Sequence, residues 1–200
     1  MSLVLLPLTP EVMRLRLSDA MDVYLAAMDY DFSWKHNRRR AWYQATYFDG
    51  WIAYGLFEYS DNPADPNNNP RSAPLVGISY GYRGNGRSWW SGQIRRGMQS
   101  QNFSPRHTEE TLERYFELSE IHIVPEHQGK GWGSRMLHQI EARCQEDTII
   151  LSTPEHPQED NAAWRLYRKS GYRDLLRNFY FPGDTRAFGV LIKDLPTSFR

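Results

Sequence analysis

Helix-like and strand-like patterns of apolar positions alternate through the first 82 residues of the chain. Residues 3–8 read as a short buried strand, and Pro7 favours an edge position because proline cannot donate a ladder hydrogen bond. The segment 61–73, rich in Pro and Asn, is typical of a mobile hairpin tip. In chain order, the pattern predicts helices at about 10–29 and 36–47, and strands at 51–59 and 75–82.

The second of these helices begins with a basic run, residues 35–40. Trp42 and Tyr43 mark the side of the helix that we expect to be buried. A run of like charges is more typical of a solvated helix face than of an anion-binding patch, and both interpretations stay open.

Residues 83–112 break the pattern, with a pair of tryptophans, a short helix-like stretch and a polar loop. About 30 residues cannot bury a core of their own, so we expect an insertion within a single domain, 1–200. Trp89 and Trp90 are costly to leave in water. At least one of them should therefore cover apolar surface, either in the core of the insertion or in a pocket for a substrate.

The pattern of apolar and polar positions becomes more regular from Tyr115 onwards. Strands alternate there with amphipathic helices, which indicates an α/β fold. Gly171 stands at the position where a left-handed residue ends a helix. In chain order, we expect a strand at 115–124, a glycine-containing loop at 126–133, a helix at 134–145, a strand at 148–153, a helix at 161–170 and a last strand at 188–195.

Composition narrows the range of functions. The chain of 200 residues has 24 basic and 24 acidic side chains, so no net positive charge attracts nucleic acid. A single cysteine, Cys144, excludes an internal disulfide and a zinc site with several thiolates, and the histidines lack metal-ligand spacing, so we expect no metal. No stretch has the length and hydropathy of a membrane span or a signal peptide, and a cytoplasmic location is expected.

The segment between the strand at 115–124 and the following helix points to a ligand. It reads Gln128-Gly129-Lys130-Gly131-Trp132-Gly133-Ser134. Three alternating glycines let the backbone curl, and the N–H groups of the following helix point into the curl, as in sites that bind phosphate. The spacing fits neither a nucleoside-triphosphate loop nor a dinucleotide fingerprint. A tight turn with a purely structural role is the alternative.

Three motifs in the right order resemble the GCN5-related N-acetyltransferase (GNAT) superfamily. Residues 128–133 fit its loop pattern [QR]-x-x-G-x-[GA]. The preceding residues 118–125 look like its L-x-x-L-x-V-x-P strand, and 163–172 look like its A-x-x-L-Y-x-x-x-G-[FY] helix. The resemblance implies a mixed, largely antiparallel twisted sheet with helices on both faces.

The resemblance also implies acetyl-CoA as cofactor and direct acetyl transfer to an amine of a small molecule or peptide. Asn161 is one place later than the family's helix asparagine, so its role as a cofactor contact is less well matched. Nucleic acid and membranes are not expected partners, and the oligomeric state stays open, with a homodimer among the alternatives. The implied cofactor-binding residues are His122, Ile123, Val124, Gln128, Gly129, Lys130, Gly131, Trp132, Gly133, Ser134 and Asn161.

Two catalytic residues are expected. Tyr167 matches the family's tyrosine that gives a proton to the leaving thiolate. Strand alternation puts Glu120 and His122 on one face of the strand at 115–124, with Ile121 and Ile123 under helices on the other. Glu120 is the first candidate to take the proton from the substrate ammonium, and His122 is the second. Glu117 is weaker because it lies on the opposite face.

Two other functions remain open at this point. One is a non-catalytic acyl-CoA-binding or regulatory module on the same fold, and the other is a nucleotide-binding protein. An intact Tyr167 and Glu120 favour an enzyme over the first. The identity of the acetyl acceptor cannot be read from the sequence, because one fold serves many acceptors.

Overall fold

The computed structural model describes residues 1–30 and 34–196, and for 34–37 only the backbone. The described residues form seven strands and seven α-helices, with single 3₁₀ turns at Pro125–His127 and Pro157–Glu159. The strands are β1 (Ser2–Pro7), β2 (Ile52–Tyr59), β3 (Leu75–Arg83), β4 (Tyr115–Ile123), β5 (Thr148–Pro154), β6 (Arg173–Phe179) and β7 (Phe188–Asp194). The helices are α1 (Pro10–Leu15), α2 (Leu17–Met28), α3 (Trp34–Ala45), α4 (Trp89–Ser100), α5 (Pro105–Glu113), α6 (Trp132–Glu141) and α7 (Ala162–Lys169).

The seven strands form one open sheet in the order β1-β2-β3-β4-β5-β7-β6. The pairs β1–β2, β2–β3, β5–β7 and β6–β7 are antiparallel, whereas β4 and β5 run parallel. This confirms the mixed, largely antiparallel α/β sheet, and it confirms that β1, which ends at Pro7, is an edge strand.

The described chain divides into two compact units, each made of two segments. The first unit comprises Met1–Tyr82 and Glu120–Cys144, and the second comprises Arg83–Ser119 and Gln145–Arg200. The organisation of the whole chain as a single domain stays a prediction.

The first unit has helices on both faces of its strands. One face packs against α1, α2 and α3 in a core that includes Met13, Tyr24 and Trp42. On the other face, Ile121 and Ile123 of β4 pack with Met136 of α6. The alternation expected for β4 is therefore correct, and Glu120 and His122 lie on the opposite face from α6.

The predicted helix at about 10–29 is wrong as a single helix, because the chain breaks at Arg16. Thr9 caps α1, and Arg16 lies between α1 and α2 with φ −95° and ψ 15°. Its buried guanidinium donates to the carbonyls of Pro70 and Ala73, at 2.7 and 2.8 Å, and pairs with Asp19. Arg16 thereby fixes one end of the segment 61–73.

Hydrogen bonds also hold the other end of that segment, which the sequence indicated as a mobile tip. The side chain of Asn68 accepts from the Ser60 amide at 2.8 Å and donates to the Asn62 carbonyl at 2.8 Å. The segment is a series of turns tied to the strands at both ends. Its turn residues satisfy backbone groups instead of leaving them to water.

The predicted helix at 134–145 is displaced towards the N-terminus. The structure begins α6 at Trp132 and ends it at Glu141, so Cys144 lies in the turn that follows and is half-buried. In α3, Trp42 is buried as expected, but Tyr43 is 44% exposed because it points away from the core. Arg39 and Arg40 are exposed, and the side chains of 35–37 fall outside the described residues.

The insertion at 83–112 forms two helices, α4 and α5, instead of one. Both belong to the second unit, where Ile94, Met98 and Leu112 are part of the core. Trp90 packs against that core and stacks on Tyr115, whereas Trp89 is 60% exposed beside Phe181. Trp90 therefore fills the core role. A role for Trp89 in a substrate pocket stays a prediction.

Strand β6 has no counterpart in the sequence analysis. Only Leu175 and Leu176 are buried in it, and they are adjacent in sequence because the register shifts on both sides of Leu176. Adjacent buried residues do not alternate, so a period-2 search passes over this edge strand.

Trp164 of α7 is fully buried, and two arginines of the second unit pack against its ring. The guanidinium of Arg168 lies 5.0 Å from its ring centroid and that of Arg177 lies 4.7 Å away. Its indole donates to the Pro154 carbonyl at 2.9 Å. Gly189 of β7 faces the ring so closely that a Cβ there would lie 2.5 Å from it.

Replacement of Arg16 should destabilise the protein strongly. Arg16→Met removes the buried donor of two carbonyls and leaves Asp19 unpaired, so we expect a loss of about 2–4 kcal/mol in the free energy of unfolding. Arg71→Met, at an exposed position of the same segment, is the matched control and should change it by about 0.5 kcal/mol or less. Urea denaturation measures both. Equal values for the two variants would contradict this role of Arg16.

Candidate functional site

The glycine-rich segment between β4 and α6 forms an open loop. After the 3₁₀ turn at Pro125–His127, Gly129 and Gly131 adopt left-handed conformations with φ of 71° and 83°. No atom lies within 4 Å of where a Cβ would stand at either position. Glycine is needed here for the backbone angle, and the space beside both residues is free.

Side chains on both sides fix the shape of this loop. Gln128 donates from Nε2 to the carbonyl of Ile123 at 2.8 Å, which closes the loop onto the end of β4. His127 is hydrogen-bonded through Nε2 to Glu58 of β2 at 2.9 Å. Lys130 donates from Nζ to the Glu126 carbonyl at 2.8 Å and is exposed. The loop is therefore held in place before any ligand is bound.

The loop has the features of an anion site. The N-cap of α6 is Gly131, which has no side chain with which to accept from the first-turn N–H groups. The positive end of the helix dipole adds to the attraction for a negative group. Of the expected contacts, Gly133 and Ser134 lie in this first turn, while Trp132 packs its ring against the core under α6. These residues fit a pyrophosphate.

Val124, one of the expected cofactor contacts, uses its amide within the sheet. It donates to the carbonyl of Val76 in β3 at 3.0 Å, so it is engaged within the sheet and does not wait for a ligand. Ile123 is buried against α6, and its carbonyl is taken by Gln128.

Glu120 lies at the centre of a second cluster in the first unit. Its Oε1 accepts from Nη1 of Arg38 at 2.9 Å and from Nε1 of Trp42 at 3.1 Å. Its Oε2 lies 2.6 Å from Nε2 of His122. The side chains of Glu120 and His122 are only 9% and 11% exposed.

The protonation of Glu120 is set by these partners. Burial alone would raise its pKa, but the hydrogen bond with His122, the charge of Arg38 and the Trp42 hydrogen bond together lower the pKa below its usual 4.5. For Arg38, burial works against the charge while Glu120 favours it, and the net result is a raised pKa. Glu120 is therefore a carboxylate and Arg38 a cation at neutral pH.

The imidazole of His122 is enclosed by aromatic rings. Tyr24 meets it edge-on at 5.0 Å between centroids, and Trp42 stacks nearly parallel at 6.3 Å. Tyr80 of β3 in turn packs against Trp42 at 5.2 Å. Two helices and a strand thus restrict the ring to one orientation.

Sequence reasoning missed Arg38 and Trp42 as partners of Glu120. The signal was present, because the two positions are four apart on α3 and so lie on the same helix face. Arg38 pairs with Glu120 although its own side chain is 40% exposed, so the basic run is not a solvated face over its whole length.

The remaining predicted residues belong to the second unit. Tyr167 lies in α7, is 6% exposed and packs 5.7 Å from Tyr172. Asn161 is the N-cap of α7, with Oδ1 accepting from the Trp164 amide at 2.9 Å, so that oxygen already has a structural task. Glu117 is buried in β4. Gly171 has φ 86° directly after α7, as expected for a helix end.

Within the described ranges, no cluster of three or more His, Cys, Asp or Glu side chains is arranged to hold a metal ion. Over the same ranges, no helix combines the length and hydropathy needed to cross a bilayer.

Comparison with known proteins finds similar sequences and similar structures. Residues 100–174 match the family model of the acetyltransferase (GNAT) domain. The GCN5-like protein acetyltransferase Rv2170 of Mycobacterium tuberculosis is 38% identical over 205 residues, which cover 98% of this chain and 100% of the relative.

Solved structures share the fold at lower identity. YncA from Salmonella typhimurium, solved with its cofactor acetyl-CoA, is 15% identical with a TM-score of 0.59, over 100% of this chain and 98% of that one. NAA60 from Arabidopsis thaliana, in complex with a bisubstrate analogue, is 12% identical with a TM-score of 0.57, over 98% and 100%. The loop before α6, the extended match to the mycobacterial relative and the shared fold lead to one conclusion: the chain belongs to the GNAT family of acetyltransferases.

Proposed function

We propose that the protein binds acetyl-CoA at the loop before α6 and transfers the acetyl group directly to an amine. The observation that carries this proposal is the loop itself, with Gly129 and Gly131 left-handed, free space beside them and the first turn of α6 behind. Main-chain N–H groups from Gly129 to Ser134 would hold the pyrophosphate, and Gln128 would act by keeping the loop closed onto Ile123.

When bound, acetyl-CoA supplies the thioester carbonyl that the amine attacks and the thiolate that leaves. The protein must then accept a proton from the substrate ammonium, because only the neutral amine has a lone pair for the attack. The Glu120–His122 cluster on β4 is our candidate for this task. Tyr167 is our candidate for the residue that gives a proton to the departing thiolate, on the strength of its place in the family's helix motif.

The acceptor that we favour is an amine of a polypeptide. The support is the mycobacterial relative, which is named a protein acetyltransferase and matches this chain over nearly its full length. Small-molecule amines are the alternative. Thiol release measured with a panel of lysine peptides, peptide N-termini and polyamines, each at equal amine concentration, separates the two classes. A polyamine preferred over every peptide would contradict the polypeptide acceptor.

Gly131→Val should weaken acetyl-CoA binding strongly. A β-branched side chain disfavours φ of 83° and places atoms in the space where the phosphates approach. We expect a rise of about 10²-fold in the Kd measured by titration calorimetry, and a smaller one for Lys130→Ala.

The control for Gly131→Val is Gly183→Val in a loop of the second unit. Gly183 has φ 86° and free space around it, so the two variants introduce the same backbone strain. The control should lose thermal stability to a similar extent but keep its affinity for acetyl-CoA. Equal losses of affinity in both variants would mean that strain and not the phosphate site is responsible.

Tyr167→Phe should lower kcat by about 10²-fold at neutral pH, with the KM for acetyl-CoA nearly unchanged, because only one proton transfer is lost. Tyr172→Phe is the matched control, since this neighbour is as deeply buried and has no assigned role in the reaction. Steady-state kinetics on both variants make the comparison. Full activity in Tyr167→Phe, with the chemical step limiting the rate, would remove Tyr167 from the mechanism.

A further inference from the structure

The carboxylate of Glu120 is poorly suited to receive a proton. Its two oxygens already accept hydrogen bonds from Arg38, Trp42 and His122, at 2.9, 3.1 and 2.6 Å. A proton arriving at Oε1 would have to displace Arg38 or Trp42, and a proton at either oxygen would leave the cation of Arg38 without its counter-ion. General bases work best when their pKa lies near the working pH. The pKa of a carboxylate that accepts three hydrogen bonds lies below that pH.

The same contacts define the chemistry of His122. An ionised carboxylate can only accept, so Nε2 of His122 must carry the hydrogen in the 2.6 Å contact. In the neutral imidazole the remaining nitrogen, Nδ1, then has the free lone pair. The rings of Tyr24 and Trp42 hold the imidazole in this orientation.

We propose that His122, through Nδ1, is the group that takes the proton from the acceptor's ammonium, and that Glu120 is a positioning residue acting through it. The proposal rests on the proposed function. The ammonium N–H bond breaks, its proton forms a bond to Nδ1, and the electron pair stays on the amine nitrogen. The resulting imidazolium is stabilised by the Glu120 carboxylate, and it later returns the proton to water.

Residues from three elements surround the imidazole of His122. Glu120 lies on β4, Tyr24 lies on α2, and Arg38 and Trp42 lie on α3. Tyr30 and Tyr80 lie near Arg38. Arg38 keeps Glu120 ionised, and Glu120 in turn fixes the tautomer of His122, so Arg38 assists the reaction from two contacts away.

The first test needs no enzyme activity. In protein labelled with ¹⁵N at histidine, we expect the His122 signals of the neutral ring to show hydrogen on Nε2 and none on Nδ1. His122→Asn identifies the signals by their loss. Hydrogen on Nδ1 would overturn the proposal.

The second test compares pH–rate profiles of kcat/KM for His122→Asn and Glu120→Gln. At pH 7 the acceptor is mostly ammonium, and we expect His122→Asn to lose about 10²–10³-fold and to lose the acid limb of the profile. Glu120→Gln should keep that limb but shift it to lower pH by about one unit, because the imidazolium loses a neighbouring negative charge. Glu120→Asp should restore part of the shift. His138→Asn, at an exposed histidine of α6, is the matched control and should leave the profile unchanged.

If Glu120 were the base, the pH–rate profiles of the two variants would differ from those expected here. If Glu120→Gln abolishes the acid limb while His122→Asn only shifts it, Glu120 is the base and the proposal fails. If neither variant alters the profile, water is the base and the proposal fails as well. If the wild type neither binds acetyl-CoA nor releases thiol, the proposed function fails together with this inference. If the wild type is active but its acid limb does not depend on His122, this inference alone fails.

A third readout tests the positioning role of Glu120 without the His122→Asn variant. A carboxyl with a lowered pKa contributes stability that is fully present above its unfolded pKa and is lost as the pH falls through the folded pKa. The stability advantage of wild type over Glu120→Gln should therefore be largest at neutral pH and shrink below about pH 4.5. An advantage that does not change with pH would mean that Glu120 is not held ionised, and would overturn its positioning role.

Discussion

A buried carboxylate has to be matched by donors, and the first unit is arranged around that requirement at Glu120. A charge this far from water would be costly if it were unpaired, by several kcal/mol. Arg38 and Trp42 from one helix and His122 from the same strand meet the requirement together. The packing of α3 against β4 is therefore tied to a chemical pairing, and the pairing in turn selects the tautomer of the histidine beside it.

The loop before α6 is suited to its proposed function by the side chains that it lacks. Two glycines without side chains and a helix N-cap without an acceptor leave donors and space unoccupied. Rigidity comes from outside the curl, through Gln128 and His127, which bond to β4 and β2. The phosphate site that we propose here would be preorganised, so binding would have little chain entropy left to lose.

The sequence predicts those features that depend on local chemistry. The glycines at 129 and 131, the alternation of β4 and the helix end at Gly171 each follow from backbone sterics or from a period of two, and each is present in the structure. Features decided by distant partners could not be foreseen. The break at Arg16 depends on carbonyls at 70 and 73, the ion pair of Arg38 depends on a carboxylate 82 positions away, and β6 is stabilised by its neighbour in spite of its own pattern.

The contact between Trp164 and Gly189 limits the substitutions that the sequence can accept during evolution. No side chain fits at 189 while an indole fills 164, since even a methyl carbon would overlap the ring. A smaller residue at 164 would remove that barrier, but it would also take away the ring against which Arg168 and Arg177 pack. Position 189 is therefore closed to single substitution for as long as Trp164 is present. Descendant sequences should be able to replace Gly189 only by altering both positions, with the tryptophan changing first.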